Sequence, residues 1–198
     1  MKAFLPLLVI LGAAGATCPA MAGPLEDGLG AYERRDFASA REMLAPLAAA
    51  GNARAQLVLG KIYLDGQGVA LNGLIAAKWY RRAAEQGDAE AQARLGVLYL
   101  RGRGVRQDYR ESAKWLELAA RQGNIDAQQC LAGLYVTGEG VSKDLVLAHA
   151  LYSLAAVGKR DNTATRNRDF LAPKLTAEEV ARSATLQGEW RPEGSLGQ

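Results

Sequence analysis

The sequence predicts an all-α fold, an α/α superhelical solenoid of stacked helix pairs. Three consecutive segments, 51–86, 87–122 and 123–158, repeat one another at a spacing of 36 residues, and ten of the 36 columns are identical in all three. Each segment contains two stretches in which apolar residues recur at intervals of three and four, the spacing of an amphipathic helix. A fixed period of this length is typical of repeat proteins, whose units bury a common core by stacking on one another.

The chain begins with a stretch typical of a secretory signal peptide, predicted over 1–22. Lys2 supplies the positive start, an apolar run follows, and an Ala-Met-Ala triplet precedes the expected cut between Ala22 and Gly23. We therefore expect export to the periplasm or out of the cell. The apolar run is shorter than the ~20 residues of a membrane span, so no span is predicted. The alternative, a lipid anchor on Cys18, is disfavoured because the residues before it match a lipoprotein signal poorly.

The charge balance and the cysteine content argue against several classes of protein. The chain has 24 Lys and Arg against 21 Asp and Glu, a formal net charge of +3, with both signs mixed along the sequence. A balance this small argues against a nucleic-acid partner. Of the two cysteines, only Cys130 would remain after cleavage, so a disulfide framework within the chain is not expected.

Residues 23–50 are predicted to form an N-terminal helix pair that caps the array. The stretch GAYERRDFASAREMLAPLAAA (30–50) resembles a tetratricopeptide half-motif. Its expected core residues are Tyr32, Phe37, Ala40 and Leu44. Terminal units of a repeat array are often atypical, because their outer face meets water.

The first helix of each repeat has a start signal, an apolar stripe and a stop signal. An Asn or Asp stands at the expected N-cap, where its side chain accepts from backbone N–H groups. An Ala-x-x-x-Leu-x-x-x-Tyr stripe follows, and glycine, which adopts left-handed φ/ψ without a Cβ penalty, ends the helix. In copy order the caps are Asn52, Asp88 and Asn124, the stripes Ala55-Leu59-Tyr63, Ala91-Leu95-Tyr99 and Ala127-Leu131-Tyr135, and the glycines Gly66, Gly102 and Gly138.

A Gly-x-Gly loop joins the two helices of each repeat. Such a pair, with arginines around it in the second copy, is a candidate phosphate cradle. The residue between the glycines is Gln67, then Arg103, then Glu139, and a carboxylate in that position opposes phosphate binding. A P-loop would also have a strand before it and Gly-Lys-Ser/Thr after it, which the sequence lacks. We interpret the loop as a helix–turn–helix corner whose glycines serve the backbone geometry.

The second helix of each repeat has its own start signal and a small-residue contact. Asn72, Asp108 and Asp144 stand at the expected N-caps. A pair of alanines near the end of each helix is small enough for close helix approach. Trp79 and Trp115 occupy one repeat column, so we expect both to be mostly buried.

Together these motifs resemble the Sel1-like repeat family, a relative of the tetratricopeptide repeats. The pattern is Ala-x-x-x-Leu-Gly-x-x-Tyr-x-x-Gly-x-Gly-Val, followed by Asp, Trp and Ala-Ala, and AQARLGVLYLRGRGVRQDYRESAKWLELAARQG (91–123) matches it almost throughout. The third copy departs at Ala132 and Leu151. The resemblance implies a superhelix with a concave surface and an adaptor role, since members serve in signalling, envelope assembly and polysaccharide export. Some members carry a β-lactam hydrolase label, but they are cysteine-rich and this chain is not.

Residues 159–190 are predicted to form C-terminal capping helices, and 191–198 a flexible tail. The stretch from Thr176 to Glu179 has the sequence of a capping box. The apolar residues expected to cover the last repeat are Val180, Leu186 and Trp190.

The sequence signals for catalysis, metals and cofactors are weak. His149 is the only histidine, with Ser153 one helical turn later and Asp144 five residues before. A catalytic triad needs an acid that orients the base toward an exposed nucleophile, whereas these three residues share one helix and its cap. We therefore predict no catalytic site, no metal site and no cofactor.

The candidate binding surface lies in the first-helix columns that vary between repeats. Spacings of three and four place most of these columns on one side of the helices, away from the apolar stripe. The predicted groove residues are Arg54, Lys61, Arg94, Val97 and Arg101. Their charges make this side locally basic, which suits an acidic or extended peptide segment.

The expected function is that of an exported, non-enzymatic scaffold whose partner is an envelope protein or an extended peptide. Three alternatives stay open at this point. One is that the variable side is an ordinary solvated helix face without a partner. The others are that the protein is a hydrolase acting on cell-wall or β-lactam material, or a structural module that binds glycan through exposed Trp or Tyr.

Overall fold

The computed structural model describes residues 23–158 and 163–190, which form ten α-helices and one 3-10 helix and contain no strand. The α-helices are α1 Pro24–Glu33, α2 Phe37–Ala49, α3 Ala53–Asp65, α4 Gly73–Glu85, α5 Ala89–Arg101, α6 Tyr109–Arg121, α7 Ile125–Thr137, α8 Leu145–Gly158, α9 Thr163–Leu171 and α10 Ala177–Glu189, with the 3-10 helix at Ala172–Lys174. The predicted signal peptide, its cleavage site at Ala22 and the predicted tail lie outside the described residues.

The helices pack as consecutive pairs along the chain. The pair α1–α2 comes first, and α3–α4, α5–α6 and α7–α8 are the three repeats. Each second helix also packs against the first helix of the following repeat. The predicted all-α solenoid of stacked helix pairs is confirmed.

Side-chain caps fix where the helices of the repeats begin. The Oδ1 atoms of Asn52, Asp88 and Asn124 accept from backbone N–H groups three residues later, at 2.9, 2.7 and 2.9 Å. Asn72 caps α4 in the same way at 3.0 Å. Each such cap contributes about 1 kcal/mol to helix stability, so the Asn/Asp column accounts for the regular helix boundaries.

The Gly-x-Gly loops have a packing role as well as a turning role. The first glycine of each loop ends its helix in the left-handed conformation, with φ of 66° at Gly66, 63° at Gly102 and 80° at Gly138. The second glycine touches the preceding repeat. A Cβ on Gly104 would collide with the backbone of Gly73, and one on Gly140 with the backbone of Tyr109. The loop is therefore repeated because it joins one repeat to the next.

A column of buried glutamines links the repeats through hydrogen bonds. Gln56, Gln92 and Gln128 each donate from Nε2 to a backbone carbonyl eight residues earlier, at 2.9, 3.1 and 3.2 Å. The Oε1 of Gln56 also accepts from Gln86, and that of Gln92 from Gln122, both at 2.8 Å. These bonds bring the ends of three helices together at the first two junctions and join two helices at the third.

The C-terminal helices α9 and α10 both pack on α8, the last helix of the repeats. The predicted capping box is confirmed, because the side chains of Thr176 and Glu179 each accept from the other's backbone N–H. Trp190 is buried, with the guanidinium of Arg121 4.2 Å from the centre of its ring.

One expectation for this end of the molecule was wrong. Val180 does not cover the last repeat, because its side chain is 37% exposed. It lies in the exposed first turn of α10, and the buried side chain that joins α10 to α8 is that of Ser183, which contacts His149.

Candidate functional site

Two neighbouring cavities lie on the face formed by the first helices of the pairs. One, of about 440 Å³, is lined by residues of α1, α3 and the start of α5. The other, of about 320 Å³, is lined by the end of α3, by α5 with its following loop, and by the start of α7. Glu90 lines both cavities. We call the two cavities together the groove.

All five residues that the sequence singled out for binding line the groove. Arg54 and Lys61 lie in the cavity between α1 and α3, and Arg94, Val97 and Arg101 in the cavity between α5 and α7. The variable columns also contain core residues, since Leu57, Val58 and Ala93 are buried beneath the groove. Some of the variable positions are therefore not available to a partner. A binding role for the five residues stays a prediction.

Glu90 joins two of the four groove cations that were predicted from the sequence. Its Oε1 lies 2.8 Å from the Nζ of Lys61 on α3 and 3.3 Å from the Nη2 of Arg94 on its own helix. Burial alone would raise the pKa of Glu90, but the hydrogen bond and charge of Lys61, with the charge of Arg94, lower it overall. Glu90 therefore stays ionised and neutralises part of the positive charge that the sequence led us to expect here.

The other two of these four predicted cations are available to a ligand. Arg54 and Arg101 are exposed, and neither forms an ion pair or a side-chain hydrogen bond with any residue in 23–158 or 163–190. Arg54 lies in the first turn of α3, and Arg101 is the last residue of α5. The uncompensated positive charge is thus concentrated near the two ends of the groove.

Arg103, between the two glycines of the second loop, has a structural partner. Its Nη2 donates to the backbone carbonyl of Leu64 at 3.1 Å, near the C-terminal end of α3. Basic side chains stabilise helix C-termini because the last carbonyls lack partners within the helix. Arg103 therefore ties the second repeat to the first while it lines the groove.

A buried tyrosine close to the groove has an unpaired hydroxyl. Tyr80 is fully buried, and its hydroxyl has no hydrogen-bond partner among the described residues. Burial raises the pKa of Tyr80 well above its usual value, while the nearby charges of Arg94 and Asp65 act in opposite directions. This group was not predicted from the sequence, because its column holds Leu116 in the second repeat.

His149, Ser153 and Asp144 do not form a catalytic triad. The Oγ of Ser153 donates to the backbone carbonyl of His149 at 2.7 Å, and Asp144 caps α8 by accepting from two backbone N–H groups. The Nδ1 of His149 lies 2.6 Å from the Oγ of Ser183 on α10, and both side chains are buried. This pair joins α10 to α8, and its serine is not accessible to a substrate.

Other chemistry is sparse in the part of the chain that the structure describes. That part contains no group of three or more His, Cys, Asp or Glu side chains placed to hold a metal ion. None of its helices is both long and apolar enough to cross a membrane. The half-buried thiol of Cys130 lies on the wall of the groove.

The two tryptophans of the repeat column differ in burial. Trp115 is buried as expected, whereas Trp79 is only half-buried, with the guanidinium of Arg82 4.9 Å from its ring centre.

Comparisons with known proteins agree with the repeat pattern. The Sel1 repeat profile matches residues 53–88, 89–124 and 125–156. A solved Sel1 repeat protein from Oxalobacter formigenes is 35% identical, with a TM-score of 0.67 over 71% of this chain and 58% of its own. A protective antigen of uropathogenic Escherichia coli strains, displaying an SLR fold, is 33% identical, with a TM-score of 0.72 over 78% of this chain.

The match to the antigen covers only 33% of its length, so the chain spans about a third of one of these relatives and somewhat over half of the other. A comparison with curated proteins found no match.

Proposed function

This chain belongs to the Sel1 repeat family, and on that basis we propose that it is a non-enzymatic scaffold that binds another protein in its groove. The observation that carries the proposal is the pair of adjoining cavities on one face, which share Glu90 and have free arginines near both ends. The helix pairs behind this face hold it rigid through caps, buried glutamines and loop contacts. A preorganised surface lowers the entropic cost of binding.

We propose further that the protein works outside the cytoplasm, in envelope signalling or assembly. The support is the signal-like stretch at 1–22, with its positive start, short apolar run and small residues before Gly23. The partner is then an envelope protein that presents an extended segment to the groove. The alternative of a hydrolase gains nothing from the geometry around His149, whose serine neighbours are buried.

The test is a crosslinking pull-down from intact cells with the full chain and a fourfold variant, Arg54→Glu, Lys61→Glu, Arg94→Glu and Arg101→Glu. A matched control reverses four exposed cations outside the groove and changes the net charge equally. These are Arg41, Lys78, Lys143 and Arg182.

We expect one envelope protein to be enriched by the natural chain and by the control, and lost with the groove variant. Recovery of the same proteins with all three would contradict binding in the groove. A cytoplasmic protein retained on the natural chain would contradict the proposed location. Far-ultraviolet circular dichroism of each variant checks that the helices are intact.

A further inference from the structure

The charges along the groove are not evenly available to a ligand. Lys61 and Arg94 are paired with Glu90 in the middle, while Arg54 and Arg101 have no partner among the described residues. Two unpaired cations flanking a centre of paired charges form a pattern that a ligand can match. This pattern defines the partner more closely than an overall basic surface would.

The separation of the two free arginines sets the reach that a ligand needs. Arg54 and Lys61 are seven residues apart on α3, a rise of about 10 Å, and Glu90 and Arg101 are eleven residues apart on α5, a rise of about 16 Å. The ion pair between Lys61 and Glu90 connects these two stretches of helix. The two rises together amount to about 26 Å, a distance that an extended chain of about eight residues spans.

The groove between the arginines disfavours further acidic groups. A carboxylate placed there would meet ionised Glu90, and Glu33, Asp65 and Asp126 add more acidic charge to the lining. Val97 and the buried Ala93 present apolar surface in the same region. A segment that is uncharged and partly apolar at its centre suits this lining better than a uniformly acidic one.

We infer that the groove takes an extended protein segment with one acidic residue near each end, about seven residues apart, and an uncharged centre. One acidic side chain pairs with Arg54 and the other with Arg101, while Lys61, Glu90 and Arg94 keep their own contacts. This inference rests on the proposed function and adds the chemistry of the partner to it. Selectivity comes from the placement of two charges, so a segment with the same charges side by side is rejected.

The experiment is a selection from a displayed library of linear peptides of about 12 residues, with the full chain as bait. A second selection uses Arg54→Glu/Arg101→Glu, and a third uses the control Lys78→Glu/Arg182→Glu. We expect the natural chain and the control to enrich peptides with two acidic residues six to eight positions apart. The charge-reversed bait should enrich basic residues at those positions. A synthetic peptide chosen with the natural chain should bind the reversed variant about tenfold more weakly or worse.

Three results would overturn the inference. Selected peptides without the spaced acidic pair would overturn it, and so would acidic peptides that bind the reversed variant equally well. Failure of the natural chain to select any peptide would mean that the groove does not take extended segments. The scaffold proposal is decided separately, because the crosslinking experiment captures folded partners as well. An Arg54→Gln/Arg101→Gln variant, which adds no new charge, checks that loss of binding reflects the arginines and not repulsion.

Discussion

The Nε2 of Gln122 donates a hydrogen bond to the Oε1 of Gln92 across 30 residues of sequence, at 2.8 Å. Gln92 in turn donates to the carbonyl of Ala84 at 3.1 Å. One buried amide therefore connects the ends of α4, α5 and α6. The third repeat has only half of this arrangement, because Gly158 stands in the column of Gln86 and Gln122.

Removing this amide should destabilise the array. Gln92→Ala removes two hydrogen bonds, the one to the carbonyl of Ala84 and the one from the amide of Gln122, so we expect a loss of about 2 kcal/mol. Gln128→Ala is the matched control, since Gln128 keeps the bond to Ala120 but has no equivalent of Gln122 among the described residues. Urea unfolding should show a larger loss for Gln92→Ala. Equal losses would mean that the bond between the glutamines contributes nothing.

The loop glycines should differ in how well they tolerate a side chain. Gly104 and Gly87 both have left-handed backbones, with φ of 76° and 91°, but only Gly104 lies against another backbone, that of Gly73. Gly87→Ala should cost about 1 kcal/mol, the usual penalty for a Cβ in this conformation. Gly104→Ala should cost more than about 3 kcal/mol, because two repeats must separate as well. Similar losses in chemical unfolding would argue against the close contact.

Replacement of the buried tyrosine should not weaken the protein. The hydroxyl of Tyr80 lacks a partner, so Tyr80→Phe removes a desolvated polar group and should leave stability unchanged or raise it by about 1 kcal/mol. Tyr152 is the control, because its hydroxyl forms a hydrogen bond with Asn167. Tyr152→Phe should cost about 1 kcal/mol. Thermal unfolding of the two variants would refute this account if their shifts had the same sign and size.

The packing of α10 should depend on pH through His149. Burial, followed by the charge of Arg168, lowers the pKa of His149 below its usual 6.5, while Asp169 opposes this change. The folded state then binds the proton less readily than the unfolded chain. The contribution of neutral His149 to the free energy of unfolding is therefore fully present above pH 6.5 and is lost as the pH drops below it.

Hydrogen exchange can check the pH effect locally. The amides of α10 should exchange faster at about pH 5.5 than at about pH 7.5, once the intrinsic rates are corrected. His149→Ala, which restores the residue found at Ala77 and Ala113, should abolish the difference. The same difference in this variant would assign the effect to other groups.

Binding of acidic segments should strengthen when the central carboxylate is removed. Glu90→Gln frees Lys61 and Arg94 and removes a repulsive charge, so peptides that carry an acidic residue at their centre should bind several-fold more tightly. Glu85→Gln, on an exposed part of α4 outside the groove, controls for the change in net charge. Fluorescence anisotropy at low and high salt would measure both. An unchanged affinity for Glu90→Gln would mean that Glu90 does not shield the cations.

The elements predicted well from the sequence are those fixed by local chemistry. The cap at Asn52 and the helix end at Gly66 depend on residues within one turn, and their recurrence every 36 residues made them visible. The capping box at Thr176 is local in the same way.

The features that were missed depend on residues far apart in sequence. Glu90 and Lys61 are in different repeats, and their ion pair exists only because α3 and α5 lie side by side. The contact of His149 with Ser183 requires α10 to lie across α8. Val180 was placed on the covering face from its apolar character alone, and that character does not reveal which residues of α10 pack on α8.

The glutamine column also bears on how long such an array can be. The first and second repeats end in the same glutamine, Gln86 and Gln122, and each meets its partner at the same distance. A further 36-residue unit inserted after Gln86 would supply and receive each of these bonds again and would lengthen the groove by one helix. A unit inserted after Gly158 would lack the glutamine that donates this bond, and the surface of α8 is already covered by α9 and α10. A repeat can thus be added by insertion between existing repeats, but not after the third repeat.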